Sequence, residues 1–234
     1  MKSPIKPVDR TNLASRVYSE IRESLIAGRY LPSHRLRISE TAQMLGTSDT
    51  PVREALLRLV SEHALEMETA KQIAVPALGL ARYVEIRTVR LALESAAVEI
   101  AATNIGPKDL ADLARINKKF TQAEASHNAE QQLRYNREFH FGIYSHCRLP
   151  TLLAMIENMW TSMGPILRAF YENERTDRSY DQGHNQHDLL LEALEWHDAS
   201  AAVEAVRADM MSAAPAIERF LRAHEASQEL KSAA

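Results

Sequence analysis

The segment that most narrows what this chain can fold into is SETAQMLGTSDTPVREALLRLVSE, residues 39–62. A short apolar run ends at Gly46, the residue type that most readily takes the left-handed turn closing a helix. The next run opens with Ser48 or Asp49 as its cap and carries Pro51 in its first turn, where a missing N–H costs little. Two short helices, 39–45 and 49–62, joined at a glycine spell a helix-turn-helix. Ahead of it, Leu13, Val17, Ile21 and Leu25 recur every fourth residue through 11–27, one amphipathic helix stopped by Gly28. RYLPSHRLR, with Pro32 and no period, reads as a loop. Behind, LEMET and QIAVP alternate or are β-branched around a polar turn and predict a two-stranded wing. Residues 1–76 are thus expected to form a winged helix-turn-helix.

From Pro76 the pattern changes. PALGL marks a linker over 77–81, and 82–234 is expected to be an all-α domain of six helices. Their approximate bounds are 79–103, 107–126, 129–147, 150–174, 182–196 and 199–225, set by breaks such as Gly106-Pro107 and Leu149-Pro150. The chain as a whole is mainly α. Its net charge of −3 conceals an asymmetry: residues 1–76 hold 11 basic against 9 acidic side chains, the remainder 17 against 22. The front half would therefore meet phosphates with local arginines rather than with a general positive field. No apolar run approaches the roughly 18 residues that span a bilayer. The opening MKSPIKPVDR has no apolar stretch, so no membrane and a cytoplasmic location are expected. Cys147 is the only cysteine, which excludes an intrachain disulfide and a thiolate zinc cluster.

A recognition helix lays its first turn on base edges, which gives Thr47, Ser48, Asp49, Thr50 and Arg53 the reach. Arg53 is the best partner for guanine or phosphate; the competing reading pairs it with Glu40 or Glu54. Asp49 either accepts from cytosine or caps its helix. Arg35 and Arg37 suit backbone clamps or a merely solvated loop. Asn136 and His140, four apart, share a helix face and can converge on one ion or simply satisfy each other.

TPVREALLRL, residues 50–59, resembles the recognition-helix signature of GntR-type transcription regulators. LRISETAQMLGTSDTPVREAL and LVSEHALEM are similar to the helices and wing entry around it. RLALE (90–94), NREFH (136–140) and His187 before an apolar helix resemble the FCD-type ligand-binding domain of the FadR subfamily. The resemblance implies a homodimer on operator double-stranded DNA, controlled by a small carboxylate effector. It implies a divalent metal, zinc first with nickel or manganese as alternatives, on Asn136, His140 and His187. Asp209 stands where that family usually has a fourth, histidine ligand. The resemblance also implies that Arg90 reaches the effector cavity; the alternative is a surface pair with Glu94. Tyr135 and Trp160, with Met163 and Tyr171, are expected to line the pocket or to be plain core, and His184 is a spare ligand or exposed. In the wing, His63 stands where a glycine is expected, and Lys71 is the only positive charge at the tip.

Two rival readings remain. A metal-bearing helical bundle could be an enzyme, but the sequence has neither the two Glu-x-x-His motifs of the di-iron kind nor HExxH, and residues 1–76 would have no task. A metal-free regulator of a larger acyl ligand would make the polar cluster structural only.

Overall fold

The computed structural model describes residues 12–69, 72–177 and 186–232. The first unit packs α1 (Asn12–Ile26), α2 (Ile38–Met44) and α3 (Asp49–Ser61) around one apolar core. Val17, Ile21 and Leu25 of the predicted stripe are buried there, while Leu13 is 48% exposed. Gly46 closes α2 at φ 62°. Its N–H reaches Gln43 O and that of Thr47 reaches Ala42 O, the paired bonds of a left-handed helix cap. Ser48 is the backbone cap of α3, without a side-chain bond.

The wing has three strands, not two. β2 (Glu66–Thr69) and β3 (Gln72–Ala74) are antiparallel as expected, and β1 (Arg35–Leu36) adds to the other edge of β3 through Arg35↔Ala74 and Leu36↔Ile73. A strand of two residues is too short to show a period in sequence. It converts the end of the expected loop into sheet, and Leu36 joins the core. His63 sits at φ 59° before β2, which is why a glycine would suit that position.

Seven α-helices follow among the described residues: α4 (Leu80–Ala102), α5 (Pro107–Ala125), α6 (Ala129–Tyr144), α7 (Pro150–Asp177), α8 (Gln186–Glu195), α9 (Ala199–Ser212) and α10 (Ala214–Ser232). The six-helix expectation fails where 199–225 divides around Ala213. Pro215, in the first turn of α10, has no N–H to continue the ladder of α9. The central core joins α4, α6, α7, α8 and α9.

The two units meet along α1 and α7. Leu25 and Ile26, at the C-terminal end of α1, lay their carbonyl oxygens against Gly164; a Cβ there would stand 2.7 Å from Ile26 O. Arg22–Glu157 and Glu23–Arg137 ion pairs flank the contact, and Arg82 of α4 donates to His63 O.

Candidate functional site

On the first unit, Ser48, Asp49, Thr50 and Arg53 are exposed along one end of α3, and Thr47 is partly covered. Arg53 has no hydrogen bond or ion pair to another described residue. Neither alternative pairing, with Glu40 or with Glu54, is formed, and Arg37 pairs with Glu40 at 2.7 Å. Arg35 pairs with Glu68 across the wing at 2.9 Å, so both candidate clamps are exposed yet internally balanced. Arg58, by contrast, stacks 3.8 Å from the Tyr18 ring and pairs with Glu62, a structural assignment. Lys71 lies outside the described residues. Arg53→Ala is therefore expected to weaken binding to a cognate operator by about 1–3 kcal/mol without changing the melting temperature. Arg58→Ala is expected to do the reverse. Titration of labelled operator beside thermal unfolding checks both, and an unaltered operator affinity in the first variant would remove Arg53 from the interface.

The second unit encloses a cavity of about 90 Å³ lined from α4, α5, α6, α7, α8, α9 and α10. Asn136 and His140 of α6 reach it on one face, His187 enters at the start of α8, and Asp209 comes from α9. His140 Nε2 lies 3.2 Å and His187 Nε2 3.6 Å from the Asp209 carboxylate. One ligand atom from each of these three residues falls within 4.8 Å of the others. Both imidazoles are held from behind. His140 Nδ1 is 3.1 Å from the Tyr144 hydroxyl, whose proton goes to Glu94 at 2.5 Å; the ring must then donate from Nδ1. His187 Nδ1 faces Asn117 Oδ1 at 3.0 Å, and that amide is itself fixed by donating to Asp188 at 2.7 Å. Each ring thus turns a bare Nε2 lone pair toward a carboxylate that also only accepts. Three acceptors facing one another are what a cation satisfies, and orienting bonds of this kind are what metal-ligating histidines have.

The electrostatics agree. Burial pushes His187 down to about 4, so its ring is neutral at physiological pH. Glu124, also in the cavity wall, is pushed up to about 7, first by burial and then by the Asp209 charge.

Arg90 makes the expected pair with Glu94, but the pair is buried rather than on the surface. Arg90 also lines the cavity, and its ties to Glu94 run through Nε at 2.5 Å and Nη2 at 3.3 Å. Glu94 is 0% exposed and accepts in addition from Tyr144 and from Trp160 Nε1 at 3.1 Å. Trp160 stands behind Arg90, its ring 4.5 Å from the guanidinium, rather than in the cavity wall. Met163 and Tyr171 do line the cavity. Tyr135 does not: it lies about 100° around α6 from Asn136, and its ring meets Lys119 and Arg134 instead. His184 lies outside the described residues. Sequence reasoning missed Asn117 and Glu124. Both lie on α5, whose spacing Leu113, Asn117, Phe120 put a polar group on the buried face, and that was the available signal.

Winged helix-turn-helix and polar helical cavity together define a two-part regulator, and comparison with known proteins agrees. The chain belongs to the gntR family of bacterial regulatory proteins: residues 13–75 match that family's model, and residues 85–212 match the FCD domain. The HTH-type transcriptional regulator McbR of Escherichia coli is 39% identical over 187 residues, 80% of this chain and 84% of McbR. The E. coli McbR/YncC structure superposes with a TM-score of 0.77 at 35% identity, covering 90% of this chain and 98% of that one. The E. coli transcriptional repressor GlaR is 26% identical over 87% of this chain and 95% of its own length. A GntR regulator structure from Rhodococcus sp. RHA1, 19% identical with a TM-score of 0.68 over 87% and 96% of the two chains, shares the fold. The chain is a DNA-binding transcription regulator, and the proteins it resembles are regulators, not enzymes. No described helix is long and apolar enough to cross a membrane.

Proposed function

We propose that the chain is a homodimeric repressor whose operator affinity is set by a small organic acid in the cavity of the second unit. A divalent metal, zinc first and nickel or manganese next, is held there by Asn136, His140, His187 and Asp209. The observation that carries this reading is the convergence of two oriented imidazole lone pairs on the Asp209 carboxylate, within 4.8 Å. The bound metal supplies positive charge and an open position for a carboxylate oxygen, and the Asp209 oxygen moves the donor set away from soft metals.

Arg90 offers a second anchor for the same carboxylate, and Glu94 balances its charge meanwhile. The cavity, lined by Arg87, Arg90, Asn136 and the His140–His187–Asp209 cluster, suits a compact acid. A two-fold operator needs two recognition helices about one DNA turn apart, hence the dimer. The repressor sign rests on the likeness to GlaR, named as one. The effector acts as a population shift: Arg90 and Glu94 meet Trp160 on α7, and α7 carries Gly164 against the end of α1.

Thermal unfolding against a panel of mono- and dicarboxylates, with and without prior chelation, tests the proposal. A compact acid is expected to raise the melting temperature of metal-loaded protein by several degrees, and chelation or the Asn136→Ala/His140→Ala double variant is expected to abolish the shift. A shift indifferent to chelation removes the metal from the reading; none with any acid removes the small-acid effector.

A further inference from the structure

Helix α4 begins where the linker ends, and its cap comes from far along the chain. Gly79 precedes it without a side chain to offer, and its first turn holds no acidic residue. The Leu80 N–H donates instead to Glu225 of α10 at 2.8 Å, across 145 positions of sequence. A carboxylate suits that end of a helix, where the backbone N–H groups lack partners and the dipole is positive. Two turns further along α4, Arg87 donates to Glu218 of α10 at 2.7 Å. Leu80 to Arg87 and Glu218 to Glu225 are equal steps of two turns, about 10 Å along one face of each helix. The helices are therefore antiparallel and tied twice. Tyr83 and Leu221, both buried in one core, lie between the ties. At the root of α10, Ala213 and Ile217 border the cavity, as Arg87 does. Beyond, Phe220 and His224 face Pro32 and Ser33 of the first unit across a groove, and Leu78 of the linker packs on the same core.

We propose that α10 is a strap carrying the state of the cavity to the linker, with Glu225 as the positioning residue. While Glu218 holds Arg87, Glu225 caps α4 and fixes the direction in which the chain leaves for the first unit. An anion that takes Arg87 inside the cavity releases Glu218. The strap then swings about the break at Ala213, where Pro215 already interrupts the helical ladder, and α4 loses its cap. The cavity end of this device rests on the small-acid reading above; the cap at the linker does not. The route is separate from the joint between α1 and α7, because it acts on the covalent connection between the units.

Glu218→Gln stands in for the released state, so the test needs no effector. Hydrogen exchange and DNA titration of the full chain are measured for Glu218→Gln, Glu225→Ala and the double variant, on an operator that the parent chain has selected from random-sequence DNA. Glu225→Ala is expected to speed exchange of the Leu80 amide about tenfold, and Glu225→Gln, which keeps an acceptor oxygen, by less. Glu218→Gln is expected to speed the same amide about threefold from two turns away, with the amides of α8 unchanged. Each single variant is expected to weaken operator binding about fivefold, and the double variant no more than the weaker-binding single one. Unconnected changes this far apart would multiply. An unchanged Leu80 amide in Glu225→Ala overturns the cap. An unchanged Leu80 amide in Glu218→Gln, exchange quickened equally in α8, operator affinity unaltered in both single variants, or losses that multiply in the double variant each overturn the strap. All of these leave the small-acid reading standing, since that reading falls only on the acid panel.

Discussion

Glu94→Ala is expected to destabilise the second unit by about 3–5 kcal/mol, the loss typical when one partner of a buried ion pair is removed. Three donor groups converge on this one carboxylate: the Arg90 guanidinium, the Tyr144 hydroxyl and the Trp160 indole N–H. Removing it leaves a buried cation and two buried polar hydrogens without acceptors, against a total stability of about 5–15 kcal/mol for an ordinary domain. Thermal unfolding of the variant reads the loss. Glu94→Gln keeps an acceptor oxygen and is expected to lose less. A second signature separates this from general damage. An acid that reaches the freed Arg90 is expected to raise the melting temperature of Glu94→Ala more than that of the parent chain. A loss below about 1 kcal/mol would mean that water or a shifted side chain replaces the carboxylate, and that the network does not hold Arg90.

Gly164→Ala is expected to leave the recognition helix intact yet break its response to the effector. The added methyl would stand against the Leu25 and Ile26 carbonyls, which are main chain and cannot swing aside. The helices α1 and α7 must separate by the better part of an ångström. Pro165, next along α7, already lacks the N–H that would bond the Thr161 carbonyl, so the helix is weakest where it meets α1. The expected result is operator affinity within a few-fold of the parent without effector, and a shift on effector addition reduced at least tenfold. Operator titrations with and without effector check this. A normal effector response would place the coupling elsewhere, with the flanking pairs Arg22–Glu157 and Glu23–Arg137 next in line.

The helix-turn-helix was legible because its signals are local: a left-handed glycine, a cap and a proline in the first turn, each restricting the backbone by itself. β1 was not, because two residues of strand become a strand only when β3 lies beside them, a contact set by the tertiary fold. The break at Ala213 lay in plain view at Pro215, but strong apolar periodicity on both sides hid it. In the second unit the residues carried by resemblance, Arg90, Asn136, His140, His187 and Asp209, all reach one cavity. Tyr135 shows the limit of adjacency, since its neighbour Asn136 faces inward and it does not. Asn117 and Glu124 escaped because neither belongs to a motif. Their importance comes from what the fold places opposite them: a histidine ring in one case, the cavity and the Asp209 carboxylate in the other.

Where α1 meets α7, peptide carbonyls on one side face a residue without a side chain on the other. Such a joint is blind to most of the sequence of the DNA-reading unit, because every residue type presents the same carbonyl. The DNA-reading surface can accumulate substitutions and acquire new operators while the mechanical connection survives. The same logic allows a head from one relative to be grafted onto the sensor of another, provided the last turn of α1 keeps its path and the small residue opposite is retained.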